Sequence, residues 1–307
     1  MTRLAAALLL LGALSSARAG AGRGGEGILL LAHGGDPAWN AQIEALRVAV
    51  ASSTPTALAL GMADPDALQK GVDALQALGV ARIVVVPLFV NSNSEVMEQT
   101  RYTLGLSDKP SEVLRAAAER MKGLAMPPGM AHHHMNMFSL RRVARDARVG
   151  LVLAPALDAD PFVSAVLLDR ARALSLAPAR ETVILVAHGP VDDAAVKDWE
   201  ADLGAHAAAL VRSGGFRAAN VSLLRDDAAP PVRARAVAEL RAKVEAAAAD
   251  GGRALVVPVL IARGGIEDKI PRDLAGLTFA WSGEALLPHA GFDRWVLDRA
   301  KNASGPP

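Results

Sequence analysis

The chain alternates short apolar segments with longer ones in which apolar positions recur every three or four residues. The apolar segments are rich in Val, Ile and Leu and are bounded by Gly or Pro, which is typical of strands buried on both faces of a parallel sheet. The segment "PAWNAQIEALRVAVASS", from Pro37, has the spacing of an amphipathic helix. This alternation predicts an α/β fold with helices on both faces of parallel sheets. The predicted strands are residues 28–32, 56–60, 82–86, 150–153, 183–187, 220–224, 254–257 and about 277–281.

The same motifs occur twice and in the same order. The segment "LLLAHGG" is matched by "ILVAHGP", "ARIVVVPLFV" by "GRALVVPVLI", and "ALDADPFVSAVLLDRAR" by "ALLPHAGFDRWVLDRAK". The spacing is 155 residues between His33 and His188 but 171 between the prolines of the second pair of segments, so the copies carry different insertions. We predict two similar doubly wound lobes, over residues 27–178 and 179–304, divided within "SLAPARET".

The first 19 residues have the pattern of a secretory signal. A basic start at Arg3 precedes an apolar run over residues 4–14, and "ARA" stands before Gly20. The alternative, a retained membrane anchor, is disfavoured because the run is shorter than the ~20 apolar residues that span a bilayer. We therefore predict export to the periplasm with cleavage after Ala19, and no stable membrane insertion.

Composition excludes several classes of function. The chain has no cysteine, so disulfides, zinc fingers and iron–sulfur clusters are excluded, and a metal would need His, Met, carboxylate or water as ligands. Hydrophobic residues make up 51% of the chain, which is ample for a buried core. The formal charge of +1 becomes −1 when Arg3 and Arg18 leave with the leader, and acids and bases are interspersed. This balance predicts no nucleic-acid partner.

The repeated motifs resemble those of a known family. A two-copy α/β chain with a first strand ending "L-x-x-H-G", a third strand running into "V-V-P-L-F" and a closing helix "L-L-x-R-A" is similar to the class II tetrapyrrole chelatases of the CbiX/SirB type. The similarity is strongest at 28–40, 82–105 and 150–172. It implies insertion of a divalent metal (cobalt, iron or nickel) into a sirohydrochlorin-type tetrapyrrole. Both are substrates, and no organic cofactor is predicted.

A histidine follows the first strand of each copy. Ligands of open parallel sheets bind beyond the carboxyl ends of the strands, so His33 and His188 are expected in a cleft, with catalytic roles. Gly34 and Gly35 allow a sharp turn and leave room for a large flat substrate. An imidazole near neutral pH can bind the metal, as predicted for His33, or accept a pyrrole proton. The alternative is a structural histidine that hydrogen-bonds its own loop. The second copy has Pro190 in place of the second glycine.

The chain departs from the family after the third strand, where members carry a second histidine. The segment there reads "NSNSEVMEQTRYTLG", so Glu95 holds that position by counting from the proline, and Asn93 holds it with a small gap. Glu95 can bind a metal or accept a proton. Asn93 does neither well and is assigned to substrate contact. Alternatively, Glu95 is a helix-start carboxylate favoured by the helix dipole. The second copy has Ile266 there, with Glu267 next.

A long insertion in the first copy contains further candidate ligands. The segment "GMAHHHMNM" offers three imidazoles and nearby methionines to a soft or borderline cation, and the alternative is a solvated loop that binds metal adventitiously. Four arginines follow at helical spacing, where they form either a solvated face or a site for the carboxylates of the tetrapyrrole. The predicted metal ligands are His132, His133 and His134. The arginines are Arg141, Arg142, Arg145 and Arg148, of which Arg141 and Arg145 are assigned to the tetrapyrrole.

Two functions from different classes remain open. The first is an exported chelatase, which the "AHG" and "VVPLFV" motifs favour. The second is an exported, non-catalytic protein that binds a metal or a tetrapyrrole and has lost the second histidine; the export signal favours it. Of the remaining histidines, His206 is expected on a helix surface or in the core, and His289 in a loop.

Overall fold

The computed structural model describes residues 24–110 and 139–303, together with Glu112, Leu114, Arg115 and Glu119. The predicted leader and the histidines of "HHHMNM" lie outside these residues. The described chain forms two parallel sheets, with strand orders β2-β1-β3-β4 and β6-β5-β7. The strands are β1 Glu26–Ala32, β2 Thr56–Leu60, β3 Arg82–Leu88, β4 Gly150–Leu153, β5 Glu181–Ala187, β6 Ala218–Leu223 and β7 Arg253–Pro258.

The α/β architecture with two similar, parallel, helix-covered sheets is confirmed, and the strands match the predicted ones with one exception. The strand expected at 277–281 is reduced to a single bridge between Ala280 and Leu255 of β7. Gly276 and Gly283 both have left-handed φ values, 86° and 71°. They turn the backbone on either side of Ala280, so the extended pairing cannot continue.

The helices begin where the sequence provides capping residues. Three helices of the first half start at an Asp-Pro pair, in which the carboxylate accepts an early backbone N–H and the proline presets the helical φ. Asp36, for example, accepts from Trp39 N at 2.8 Å. The helices described in full are α1 Pro37–Ala51, α2 Pro65–Ala77, α3 Glu95–Thr103, α4 Pro161–Leu174, α5 Val196–Gly214, α6 Pro230–Ala248, α7 Ile266–Asp273 and α8 Phe292–Asn302.

One apolar core lies between the two sheets. It combines one face of each sheet with side chains of α1, α4, α5 and α8, including Leu30, Leu185 and Val296. The outer face of the first sheet is covered by α2, and that of the second sheet by α6 and α7. Each fully buried large aliphatic side chain contributes about 1.5–3 kcal/mol. The shared core therefore ties the two halves together.

The closing helix of each half packs on the opposite half. Helix α4 lies against β7 and α5, whereas α8 lies against β3 and α1. The end of α4 is held by Arg253, which pairs with the buried Glu181 at 2.9 Å and donates to the Leu174 carbonyl at 2.7 Å. The equivalent contacts at the other sheet join Arg82, Glu26 and the Ala303 carbonyl. The same kind of contact thus holds the closing helix at each of the two sheets.

Because the closing helices are exchanged, the predicted boundary near Pro178 does not separate two independently packed units. The short 3₁₀ turn Pro178–Arg180 does lie between the last helix of the first half and β5. Along the chain it separates the strands of the two sheets, but each packed unit contains a helix from the other side of the boundary. Across the described residues, no helix is both long and apolar enough to cross a bilayer.

Candidate functional site

His33 lies directly after β1, as expected. Its side chain is exposed, and Gly34, with a left-handed φ of 81°, turns the chain behind it. Nδ1 lies 2.7 Å from the Gly34 carbonyl oxygen. Because a carbonyl only accepts, Nδ1 carries a proton, and in the neutral imidazole Nε2 is then the nitrogen with the free lone pair. The hydrogen bond of the structural alternative is thus present, and it leaves the other nitrogen able to bind a metal or accept a proton.

The second glycine after His33 has a packing role. A Cβ on Gly35 would lie 3.0 Å from Cγ of Trp39, so a side chain at this position would crowd the indole. The side chain of Asn40 brackets Gly35, accepting from its N–H at 2.9 Å and donating to its carbonyl at 3.0 Å. Sequence reasoning missed Asn40. Its position in the first turn of the predicted helix, facing the preceding loop, was the available signal.

Glu95 is the first residue of α3, and Ser94 caps this helix by accepting from Met97 N. The carboxylate is on the surface, yet its pKa is raised, first by partial desolvation, then by the charge of Asp192 and then by that of Glu98. Asp192 belongs to the loop that follows β5 in the second half. The loop carrying Glu95 therefore faces the loop after His188 across the boundary between the halves.

His188 differs from His33 although each follows the first strand of its sheet. It is half-buried, and its Nδ1 is buried with no hydrogen-bond partner among the described residues. Its ring lies 5.5 Å from the Trp199 ring at an interplanar angle of 45°. Gly189, with φ 77°, repeats the left-handed turn seen after His33. The imidazole of His188 thus packs against Trp199, whereas that of His33 faces solvent.

Arg225 stabilises the loop after His188 and was missed from the sequence. It is buried and has a left-handed φ of 53°. Its guanidinium donates to the carbonyls of Pro190 at 2.5 Å and Val191 at 2.7 Å, and it pairs with Asp193 at 2.7 Å. The only sequence signal was a basic residue directly after a predicted strand. These bonds hold the loop that has lost its second glycine.

The helix expected for the four arginines is wrong, because residues 139–146 are not helical. Side chains of α2 compete for their backbone: Gln69 accepts from Ala144 N and Gln76 from Asp146 N, both at 2.7 Å. Each bond fixes the segment extended along α2. Arg141 pairs with Asp66 in the first turn of α2, near the carboxyl edge of the sheet. Arg145 donates to the Val149 carbonyl at 2.7 Å, which places it at the opposite edge from His33.

In the second half, the position equivalent to Glu95 is Ile266, and the residue beside it is a buried glutamate with a structural role. Ile266 begins α7, and the adjacent Glu267 is buried, with one carboxylate oxygen accepting from Gly264 N at 3.0 Å and Gly265 N at 3.1 Å. This carboxylate closes its own loop. Among the described residues, no group of three or more His, Asp or Glu side chains is arranged to hold a metal ion.

The two remaining histidines make structural contacts. His289, in the loop before α8, places Nδ1 2.8 Å from the Ala290 carbonyl and Nε2 3.2 Å from a carboxylate oxygen of Asp169. His206 is buried on α5. Burial lowers the pKa of His206, so its imidazole is neutral at neutral pH.

Comparison with solved structures shows a shared fold over most of the chain. SirB from Bacillus subtilis with Fe3+ matches with a TM-score of 0.58 and 15% identity, covering 90% of this chain and 94% of that one. The sirohydrochlorin chelatase SirB from Bacillus subtilis subspecies spizizenii in complex with cobalt gives a TM-score of 0.55 and 14% identity over the same shares. DR2241 from Deinococcus radiodurans, a multi-domain protein with structural similarity to chelatases, gives 0.50 and 19% identity, covering 90% of this chain and 54% of that one.

Comparison of sequences gives the family. No curated protein sequence matches the chain. The CbiX family model matches residues 27–174, which run from β1 to the end of α4 and include His33 and Glu95. Together with the exposed histidine after β1 and the two-sheet fold shared with SirB, this match confirms the resemblance read from the motifs. Residues 27–174 therefore match the CbiX family, and the chain shares the fold of the SirB chelatase structures.

Proposed function

We propose that the protein inserts a divalent metal ion into a sirohydrochlorin-type tetrapyrrole. Cobalt is the first candidate for the metal, with iron and nickel as the others. Support comes from the CbiX match over residues 27–174 and from the fold shared with SirB structures that hold Fe3+ or cobalt. The metal and the macrocycle are both substrates, so the protein has to bind them together and remove protons from the ring.

The observation that carries this proposal is the state of His33. Insertion requires two pyrrole N–H groups to lose protons while the cation loses its water ligands. The exposed imidazole has Nδ1–H committed to the Gly34 carbonyl, so Nε2 is available at the carboxyl edge of the sheet. A neutral imidazole with one open nitrogen can bind the cation or take a pyrrole proton.

Glu95 supplies the second group in this proposal. Its raised pKa shifts its titration toward neutral pH, which favours a carboxylate that accepts and releases protons. One of the pair His33 and Glu95 binds the metal and the other accepts the proton. Gly34, Asn93 and Arg141 contribute contacts to the macrocycle, and the guanidinium of Arg141 suits its carboxylates. Arg145 has no part in this site, because it lies at the other edge of the sheet.

The non-catalytic binding protein remains the second candidate. It is favoured by the departure at the family's second histidine, where Asn93 and Glu95 stand. Under this alternative the protein binds cobalt or the tetrapyrrole without accelerating their combination. The two candidates differ in one measurable quantity, the rate of insertion above the uncatalysed rate.

The test is the initial rate of cobalt insertion into sirohydrochlorin across a cobalt titration. We expect His33→Ala to lower the rate by the ~10²–10⁴-fold that a positioned acid–base group contributes, with an unchanged circular dichroism spectrum because the side chain is exposed. His188→Ala should have a smaller effect, since this half-buried imidazole packs on Trp199. Deletion of residues 132–134 should raise the cobalt concentration at half-maximal rate, because a metal-capture segment alters uptake more than chemistry.

Two results would contradict the chelatase proposal. Equal rates for wild type and His33→Ala would remove the role of His33. If the wild type does not exceed the blank but binds cobalt in equilibrium dialysis, the binding protein becomes the better description.

A further inference from the structure

The Glu95 loop, residues 91–95, is held by a set of buried or half-buried polar contacts. Asp158 lies in the loop between β4 and α4. Its φ of 45° is left-handed, which is unfavourable for most residues other than glycine. In this conformation its carboxylate accepts from Ser92 N at 2.6 Å and Ser92 Oγ at 2.7 Å. Ser92 Oγ in turn accepts from Ala156 N at 2.8 Å. The strained backbone of Asp158 is thus compensated by bonds to the loop.

A stripe on α5, from the second half, contacts the same loop. Its members are three and four residues apart and therefore share one helix face. Asp202 accepts from Asn91 Nδ2 at 2.6 Å, and the Trp199 indole N–H lies 3.4 Å from the Asn93 carbonyl. Asn91 also accepts from Asn93 N at 2.7 Å. We define the α5 stripe as Trp199, Asp202 and His206.

His206 connects the stripe to Asp158. Nε2 lies 2.9 Å from the Asp158 carbonyl and Nδ1 lies 2.7 Å from Ser164 Oγ. The carbonyl can only accept, so Nε2 carries the proton and Nδ1 accepts from the serine hydroxyl. Both ring nitrogens are therefore committed. His206 and Asn91 are each 1% exposed, and buried hydrogen bonds of this kind specify one geometry because breaking them leaves unpaired polar groups.

The corresponding loop of the second half, which α1 contacts, can be compared with the Glu95 loop, which α5 contacts. Trp39 takes the place of Trp199, since a Cβ on Gly264 would lie 2.6 Å from its Cδ1, and Gly264 and Asn93 are each the sixth residue after the proline of their strand. Gln42, three residues on, makes a long 3.4 Å contact with the Arg263 carbonyl. Leu46 stands where His206 would be.

The position equivalent to Asp158 is also apolar. Asp158 N donates to Val90 O at 3.0 Å, and the matching bond in the second half runs from Leu287 N to Ile261 O at 2.8 Å. A leucine cannot accept from the loop as the aspartate does. The packing of tryptophan on the facing loop is thus common to both halves, whereas the contacts of Asp158 and Asp202 belong to the loop that carries Glu95.

We propose that Asp158 and the α5 stripe act as positioning residues that fix the Glu95 loop for metal insertion. The role of Glu95 rests on the proposed function, but the fixing of its loop can be measured separately. In this arrangement the second half contributes to the site of the first through Asp202 and His206, without touching the substrates. Its own loop has Ile266 at the position of Glu95, and the N–H groups of Gly264 and Gly265 in this loop donate to Glu267 instead.

The experiment compares three variants of the full chain: Asp202→Ala, Asp202→Asn and Gln42→Ala. Hydrogen–deuterium exchange is measured on the peptide spanning residues 90–97, and cobalt insertion is measured in parallel well below the unfolding temperature. Asp202→Ala should speed exchange in this peptide and lower the maximal rate by about 10- to 100-fold, the cost of misplacing a reacting group by about 1 Å. Asp202→Asn should restore both, because its amide oxygen still accepts from Asn91. Gln42→Ala, on the matching helix, should change neither.

Each outcome has one meaning. Unchanged exchange in Asp202→Ala, or equal loss of rate in Asp202→Ala and Gln42→Ala, overturns the positioning role. Faster exchange in Asp202→Ala with rescue in Asp202→Asn supports it. A wild type without insertion activity but with this exchange pattern contradicts the proposed function while retaining the fixing of the loop by α5.

Discussion

Two histidines occupy the same place in the repeat but have different surroundings. His33 is exposed, with one nitrogen bonded to its own loop, whereas His188 is half-buried against an indole. Arg225 holds the loop after His188 through two carbonyls. At the scale of single residues, the first copy therefore presents an exposed imidazole and the second presents a packed one. The same motif gives a solvent-facing side chain in one half and a packed side chain in the other.

The raised pKa of Glu95 gives a pH prediction. If the ionised carboxylate is required, the insertion rate rises with pH through the pKa of Glu95, which is raised above its ordinary value. Asp192→Asn removes a nearby negative charge, which lowers this pKa and moves the acid limb of the rate profile to lower pH. Glu98→Gln should move it in the same direction by less, because Glu98 has the smaller influence. An acid limb that does not move in Asp192→Asn would show that Glu95 does not control it.

Elements of this fold are placed by a few close contacts between helix and sheet. Gly71 lies within α2 where that helix meets β1, and a Cβ there would lie 2.4 Å from Cδ1 of the fully buried Leu29. Gly204 lies within α5, with nothing near its missing Cβ. Both glycines are equally unfavourable for an isolated helix, but only Gly71 is packed closely against a neighbouring side chain. Substituting each one therefore distinguishes the effect of helix propensity from the effect of close packing.

We expect opposite signs for the two Gly→Ala substitutions. Gly204→Ala should stabilise the protein by up to about 1 kcal/mol, the difference in helix propensity. Gly71→Ala should destabilise it, because overpacking a core costs about 1–3 kcal/mol and exceeds the propensity gain. Urea unfolding gives both free energies. Stabilisation by both substitutions would mean that Leu29 moves aside without cost.

The whole molecule is joined by the exchange of its closing helices. The apolar face of α4 includes Val163, Val166 and Leu167, all of which are buried in the core shared by both sheets. In the intact chain, β7 and α5 cover this helix. The segment that matches the CbiX family therefore ends in a helix whose packing surface belongs to the other half.

A fragment of residues 27–178 tests this dependence. Without the second half, the buried face of α4 and the inner face of the first sheet are exposed to water, and an apolar surface of this kind promotes association. We expect dimers or larger species in size-exclusion chromatography with light scattering, and no cooperative unfolding of a monomer. The matched control is the chain from residue 24 to 303, which should be monodisperse. A monomeric, cooperatively folding fragment would contradict a structural requirement for helix exchange.

The sequence by itself determined the elements, the repeat and the first candidate residues. Runs of Val, Ile and Leu between Gly or Pro gave seven strands, and Asp-Pro pairs mark the starts of three helices. These features depend on local backbone preference and on apolar periodicity, which neighbouring residues carry in full. The position of His33 beyond β1 follows from the same pattern, because the end of a parallel strand has a known location in the sheet.

The different surroundings of the two copies of a motif depend on tertiary contacts that the sequence does not predict. The exchange of α4 and α8 joins residues that are distant in sequence. The same is true of the contacts that Asp158 and Asp202 make with the Glu95 loop. The packing of His188 on Trp199 and the position of Arg145 at the far edge of the sheet also depend on the folded chain. Local propensity contains no information on such pairs, since they are selected by the fit of two packed halves. Residues of the second half therefore contact a loop that belongs to the first half.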